Sequence, residues 1–357
     1  MSTKIVVSAV LAAAVLGVAG LLILAPSGPR GAGEGETPAE DGAVGSMHGG
    51  ASAGAEAAFG PVGTPEPDGI GIDPGLYLAT WNFSNLPAEE RAHYYRETAL
   101  GGGRLLREYW IVAQDREIEI APGVVFPAWS YNGQVPGPTI RATEGDTVRV
   151  HFTNGSERPH TMHFHGFHPA SMDGSAPEDF VPPGGTFTYE FEAAPAGLHL
   201  YHCHVTPLTQ HIHKGLYGVY IVDPAAPRAP ARELIMVMNG FDTNYDEENE
   251  IYAVNSIAFY YMNHPVETKV GELVRIYLVN ILEFDQTNSF HVHANFFDEY
   301  RTGTGDRPGS FTDTVIMGQG ERSVLEMRFR HPGDVMFHAH KTEFSERGWM
   351  GVFRVTE

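Results

Sequence analysis

The sequence predicts an all-β protein made of two copies of one sandwich domain. Three observations carry that prediction. Apolar residues alternate with polar ones over short runs: Val148, Val150 and Phe152; Tyr189 and Phe191; Val274, Ile276 and Leu278; Leu325, Met327 and Phe329. A period of two is the pattern of half-buried antiparallel strands. The chain also repeats itself, since Gly145, Val148, Arg149 and Asn154 recur as Gly271, Val274, Arg275 and Asn280, and Gly215 and Gly218 recur as Gly348 and Gly351. Finally, histidine comes in His-x-His doublets that keep the same order in both copies.

Along the chain, residues 5–24 form an uncharged apolar run of 20 residues after Lys4. That is long enough to span a bilayer, and it also resembles a signal peptide. Pro26 is a poor neighbour for cleavage, which favours an anchor over a cleaved leader. Residues 1–25 therefore read as signal or membrane anchor, with the body extracytoplasmic, either anchored or secreted. Residues 26–75 are rich in Gly, Ala, Pro and Glu and read as a flexible linker. Residues 76–104 read as an extension with one short helix over 87–100, stopped by Gly101, Gly102 and Gly103. Residues 105–224 and 232–357 are the two β domains, joined by a Pro- and Ala-rich stretch.

Charge narrows the function. The chain carries 44 Asp and Glu against 23 Lys and Arg, a net charge of -21, which argues against nucleic acid as a partner. The acidity reads first as solubility and suits neutral or cationic substrates. The single cysteine rules out an internal disulfide.

That cysteine is flanked as His202, Cys203, His204. Successive side chains of a strand face opposite ways, so the sulfur and the two imidazoles point to different sites. Cys with His selects copper or zinc. Four doublets, His163/His165, His202/His204, His291/His293 and His338/His340, each put two imidazoles on one face. Each repeat gives two doublets, so a shared cluster is expected between copies of the two domains. His160, Cys203 and His211 supply the two-His, one-Cys set of a blue-copper site. The axial position falls on Leu216, which cannot coordinate; that predicts a high reduction potential. In the second repeat the counterparts are Asn288, Ala339, Phe344 and Trp349, so one blue copper per chain is expected.

On these residues the chain resembles the two-domain multicopper oxidases, laccase-like with the blue copper in domain one, and related to copper nitrite reductases. The resemblance runs over residues 105–357 and implies tandem cupredoxin-like Greek-key β-sandwiches. It implies type 2 copper on His163 and His291. It implies a type 3 pair on His165, His202, His204, His293, His338 and His340, for about four coppers per chain. It further implies a homotrimer, with each trinuclear cluster shared between domain one of one subunit and domain two of the next. The implied reaction takes single electrons from a small reducing substrate (a phenol, an aromatic amine or a metal ion) and reduces dioxygen to water.

Proton supply needs acids. Asp173 matches the acid near the type 2 copper in laccase-like members, and Glu343 and Glu346, after His340, are further candidates. Nitrite reduction is the alternative function. Against it, that family's catalytic Asp falls here on Met162, its usual axial Met falls on Leu216, and its single catalytic copper needs only three His. A copper-binding electron carrier would leave the second repeat's histidines idle. Of the other histidines, His213 is passed over for His211 because Gly215 and Gly218 fix the alignment. His168 and His199 are candidates for supporting the ligands. Met47 and His48 read as linker.

Overall fold

The structure is a computed structural model that describes residues 88–357. The apolar run at 5–24 and the linker at 26–75 lie outside the described residues. Among those described, no helix is long and apolar enough to cross a membrane.

Domain one holds nine strands: β1 (Tyr95–Gly101), β2 (Arg104–Ala121), β3 (Val124–Tyr131), β4 (Gly137–Thr143), β5 (Thr147–Asn154), β6 (His163–Phe164), β7 (Thr186–Glu192), β8 (Gly197–His202) and β9 (Tyr217–Asp223). One sheet runs β1-β2-β5-β7 with β3 also on β2, and the other runs β4-β9-β8-β6. Domain two holds β10 (Arg232–Phe241), β11 (Ile251–Val254), β12 (Val266–Lys269), β13 (Val274–Asn280), β14 (Thr287–Val292), β15 (Phe297–Arg301), β16 (Ser310–Thr312), β17 (Thr314–Gly318), β18 (Arg322–Met327), β19 (Gly333–His338) and β20 (Met350–Thr356). Its sheets run β11-β10-β13-β18-β15-β16 and β12-β20-β19-β14-β17.

The repeat is visible in the pairing. β2 lies parallel to β5 and β4 to β9; β10 lies parallel to β13 and β12 to β20, in a ladder that is otherwise antiparallel. Each parallel pair needs a crossover, which gives both cupredoxin-like sandwiches the same winding. The repeated residues have the same jobs. Asn154 donates to the carbonyls of Arg158 and Val181 at 2.7 and 2.8 Å, and Asn280 to those of Met317 and Gly318 at 3.2 and 2.9 Å. A Cβ on Gly218 would meet the Tyr201 ring at 2.4 Å, and one on Gly351 the Phe337 ring at 2.4 Å. Each glycine lets an aromatic ring cross its strand.

Two expectations need correction. The helix covers only Ala88–Tyr94, and β1 follows it at once. Tyr95 and Thr98 pair across to Tyr109 and Leu106 of β2, and the Arg96 guanidinium lies 5.3 Å from the Trp110 ring. Cross-strand contacts therefore outweigh the helical propensity of that stretch. Gly101, Gly102 and Gly103, all at positive φ, make the hairpin turn rather than a helix stop. The strand at Val274 is also not half-buried: all of β13 is buried. Val274, Ile276 and Leu278 enter the core of domain two, while Tyr277 and Val279 join the core of domain one. β10 divides the same way, with Leu234, Met236 and Met238 on one side and Ile235 and Val237 on the other. The sheet carrying β10 and β13 is thus a shared middle layer, and the two domains are locked together.

An ionic network sits where the domains join. Arg141 pairs with Asp223 at 2.6 Å and Glu233 at 2.7 Å, while Arg275 reaches Glu233 at 3.1 Å and Glu326 at 2.6 Å. Tyr277 donates to Glu233 at 2.8 Å. Burial pushes the Glu233 carboxyl up, but Arg141, Tyr277 and Arg275 outweigh it and hold it below the usual range. Glu233→Ala leaves two guanidinium groups short of a partner and is expected to destabilise the chain by about 3 kcal/mol, read as a lower guanidinium midpoint. A carboxyl lowered in the folded state stabilises fully above its unfolded pKa. That contribution is therefore complete above about pH 4.3 and fades as pH falls. The wild-type advantage over Glu233→Ala should shrink below pH 4.

Candidate metal centre

β8 carries Leu200 and His202, and the chain then continues through Cys203 and His204. Cys203 is fully buried, with its N–H on the Leu216 carbonyl at 2.9 Å. His211 comes from α2 (Leu208–His213), where α1 is the helix at Ala88–Tyr94. His160 sits on an isolated bridge to Val181. These elements bring three donors together: Cys203 Sγ is 3.2 Å from His211 Nδ1 and 3.8 Å from His160 Nδ1, and the two Nδ1 atoms are 3.2 Å apart. The Leu216 side chain is fully buried beside them. The Thr161 N–H donates to Cys203 Sγ at 3.4 Å.

Burial dominates the electrostatics of this triad. It lowers His160 to about 3, helped by His211 and Arg158, and His211 to about 4, again helped by Arg158. Both imidazoles are therefore neutral, with lone pairs free for a metal. Burial also raises the Cys203 thiol. The donor set fits copper: two neutral imidazoles and a sulfur whose proton a metal must displace.

The doublets face the other way. His163 lies opposite His202 in the β6–β8 pair, and His291 opposite His338 in the β14–β19 pair. Ring centroids of His163 lie 5.3, 5.1 and 5.2 Å from those of His165, His202 and His204. Those of His291 lie 5.1, 5.4 and 5.2 Å from His293, His338 and His340. His165 Nε2 is 3.2 Å from His202 Nε2, and His293 Nε2 is 2.9 Å from His338 Nε2. The two quartets are copies of one another. No hydrogen bond or ring contact joins them among the described residues.

Backbone carbonyls fix the ring states. His163 Nδ1 is 2.9 Å from the Asp173 carbonyl, His202 Nδ1 2.9 Å from that of Cys203, His291 Nδ1 3.0 Å from that of Asp313, and His338 Nδ1 2.6 Å from that of Ala339. A carbonyl only accepts, so each Nδ1 carries the proton and each Nε2 is bare, which orients a metal-binding imidazole. His204 Nδ1 is buried and has no hydrogen-bond partner, a cost that a bound ion would relieve.

Asp173 reaches this face. Its Oδ1 is 3.3 Å from His163 Nδ1 and 3.7 Å from His168 Nε2, and Ser175 donates to its other oxygen. Burial raises its carboxyl, but Ser175 and the histidines outweigh this and hold it below the usual range. Glu343 is elsewhere. It lies on the helix Thr342–Glu346 and pairs with Arg347 at 3.2 Å and Lys341 at 3.9 Å. The structure joins neither it nor Glu346 to an imidazole among the described residues. That helix is the counterpart of α2, so it covers the side of domain two where the thiolate site is lost. There Ala339, Phe344 and Trp349 are fully buried, and Phe344 stacks on Tyr252 at 3.9 Å.

His213 serves the domain joint instead: its Nε2 accepts the Asp242 N–H at 2.9 Å, between the Phe126 and Phe284 rings. His199 hydrogen-bonds the Pro195 carbonyl at 2.8 Å. Several neighbours escape a reading of the motifs alone. Thr161 Oγ1 accepts the His204 N–H at 3.1 Å, and Ser289 Oγ accepts the His340 N–H at 2.8 Å. A hydroxyl one residue after His160 and after Asn288 was the available sequence signal. Arg322 Nη1 lies 3.3 Å from His165 Nδ1, and the Trp129 ring lies 5.5 Å from His160 and 4.9 Å from His211.

An imidazole–thiolate triad back to back with His-x-His strands, on tandem Greek-key sandwiches, defines a cupredoxin-type copper protein. The chain belongs to the multicopper oxidase family: residues 113–227 match one multicopper oxidase model and residues 228–357 another. A crystal structure of a multicopper oxidase is similar over 82% of this chain and 100% of that one, at 51% identity and a TM-score of 0.76. The copper-containing nitrite reductase of Neisseria meningitidis is 30% identical over 68% of this chain and 67% of its own length. The copper nitrite reductase structure from Nitrosomonas europaea is 28% identical, with a TM-score of 0.64 over 71% of this chain and 94% of that one. The family is thus an oxidoreductase family with copper nitrite reductases among its relatives.

A metal held by His160, Cys203 and His211 should displace one proton, from sulfur, and none from the two imidazoles. Cobalt(II) binding followed by its sulfur charge-transfer band is expected to strengthen by about tenfold per pH unit between pH 6 and 8. A slope of zero would mean that the thiol takes no part.

Proposed function

We propose that this chain couples one-electron oxidation of a small reducing substrate to the reduction of dioxygen. Four electrons and four protons convert one dioxygen to two waters. The observation that carries this reading is the pair of matching imidazole quartets, whose carbonyl-tied rings offer far more nitrogen donors than a single catalytic copper needs. Copper, when bound, would supply one-electron acceptance at the thiolate site and concerted electron delivery to dioxygen at the imidazoles, with about four ions per chain.

The chain's own residues do the rest. His160, Cys203 and His211 would hold the type 1 ion, and the buried Leu216, bonded through its main chain to Cys203 and His211, offers no further donor. His163 and His291 would hold the type 2 ion. His165, His202, His204, His293, His338 and His340 would hold the type 3 pair. Cys203 is joined through the main chain to His202 and His204, so one tripeptide links the two sites. Asp173, beside His163, is the carboxylate positioned to hold a proton. Arg322 adds positive charge next to His165.

Each quartet alone is a half-site, and His293 and His340 are exposed in a single chain. Exposed apolar residues flank both: Phe167 at 71% on domain one, and Phe311 at 65% and Ile316 at 70% on domain two, with Phe296 stacked on Phe311 at 5.3 Å. Covering them would join domain one of one chain to domain two of the next, and a head-to-tail contact of this kind closes into a ring; we assign a homotrimer. An extracytoplasmic site of action, anchored or secreted, belongs to the same proposal and rests on residues 5–24.

Nitrite reduction is the second reading, favoured by the nitrite reductase relatives. It asks for one catalytic copper and for no second imidazole doublet in each domain.

Metal analysis with oxygen uptake separates the two. The oxidase reading predicts about four coppers per chain, an intense blue band, and water as product. Two coppers with nitric oxide formed from nitrite would favour the reductase. Cys203→Ser should abolish the blue band while the quartets still bind copper. Phe311→Glu should turn the assembly into blue monomers on size-exclusion chromatography that no longer consume dioxygen. A monomer that keeps full oxygen uptake would refute the shared cluster.

A further inference from the structure

A cavity of about 330 Å³ lies where three segments meet: the joint at 224–229, the loop 303–306 between β15 and β16, and Ala196 just before β8. That is room for a small metabolite. Hydrogen bonds fix its walls. The Leu198 N–H of β8 donates to the Thr302 carbonyl at 2.8 Å, and Arg228 Nη2 donates to the Gly303 carbonyl at 3.1 Å. A Cβ on Gly197 would meet Thr304 Cγ2 at 2.7 Å, so the loop is pressed onto the start of β8. The cavity is therefore preformed, which spares a ligand the cost of ordering it.

Its charges decide what fits. Four ionisable side chains line it with two charges of each sign: Arg228, Arg275, Asp306 and Glu326. Arg275 and Glu326 engage one another at 2.6 Å, and Arg275 also reaches Glu233 at 3.1 Å. Among the described residues, Arg228 and Asp306 form no ion pair, either with each other or with a third group. Two opposite charges that share one small cavity and do not meet leave a gap that a ligand bearing both charges bridges. The Tyr300 hydroxyl is also on the wall and forms no hydrogen bond among the described residues. Pro224, Ala229 and the buried Val324 make the rest of the lining partly apolar. A plain anion would leave Asp306 unmatched against it, and a plain cation would do the same to Arg228.

We propose that this cavity binds a free α-amino acid with an aliphatic side chain. Arg228 and Tyr300 hold its carboxylate, Asp306 holds its ammonium, and the side chain lies against Pro224, Ala229 and Val324. Only Nη2 of the guanidinium is engaged, so its other nitrogens are free to grip the carboxylate. Neither a histidine nor the cysteine lines the cavity, so the site is separate from the copper face and does not rest on the oxidase reading. Its occupant ties the joint to the loop that braces β8, the strand that ends at His202.

The test compares three probes by calorimetric titration into the full chain at neutral pH. L-Leucine carries both charges, L-leucinamide lacks the carboxylate, and 4-methylpentanoate lacks the ammonium. Leucine should bind once per chain, and each analogue should bind at least about tenfold more weakly. Asp306→Asn, at an exposed position that supports no other side chain, should make leucine and 4-methylpentanoate bind alike. Arg228→Gln should make leucine and leucinamide bind alike. Either variant alone tests one end of the ligand, so a folding defect in Arg228→Gln leaves the Asp306 arm intact. Failure of leucine to bind at millimolar concentration overturns the proposal. So does equal binding of the three probes, or a preference for leucine over 4-methylpentanoate that survives Asp306→Asn.

Discussion

The two-residue period of a β-strand governs this molecule. At the end of β8 it turns Cys203 into the sandwich and His202 and His204 out of it, so three consecutive residues serve two sites with no loop between them. The inward side is dry, and burial keeps its imidazoles neutral and its thiol protonated until a metal arrives. The outward side is where β6 meets β8 in one domain and β14 meets β19 in the other. Cross-strand pairing sets His163 against His202 and His291 against His338, and the Thr161 and Ser289 hydroxyls hold His204 and His340 just beyond the strand ends. Shifting any of these strands by one residue would send the imidazoles into the core.

Duplication explains what the second domain keeps and discards. It keeps the outward doublets, the carbonyls that orient them, and the hydroxyl that holds the strand end, Ser289 for Thr161. It discards the inward site, filling it with Ala339, Phe344 and Trp349. Losing a buried thiolate site costs little when apolar side chains of similar bulk take its volume. The outward histidines have no such replacement, which is the pattern expected if their face is used and the inner one is not.

Much of this was legible in the sequence, for a physical reason. The alternation at Val148, Val150 and Phe152 follows from one wet and one dry face, and each His-x-His doublet starts on a single strand, at His163, His202, His291 and His338. Spacing is therefore enough to put the two rings of each doublet side by side. Where partners come from distant elements, spacing is silent. The strand at Tyr95 was hidden because Glu89, Glu90 and Arg91 begin a helix and only pairing with Tyr109 and Leu106 ends it. The double burial of β13 was hidden because its second face is covered by the other domain. Arg322 meets His165 across 157 residues, and Trp129 meets His211 by way of the Lys214 carbonyl. Glu343 looked acidic and close in sequence, yet its helix serves the lost site, where Arg347 and Lys341 engage it.

The central claim is that one tripeptide joins a thiolate-held copper to a cluster completed by a neighbouring chain. Diffraction from crystals of the copper-loaded protein, collected on both sides of the copper absorption edge, tests it most directly. The account predicts one anomalous peak on Cys203, His160 and His211, and a compact group of peaks between the quartets of two different subunits. Peaks confined to separate quartets within each chain, or no peak at the sulfur, would contradict it.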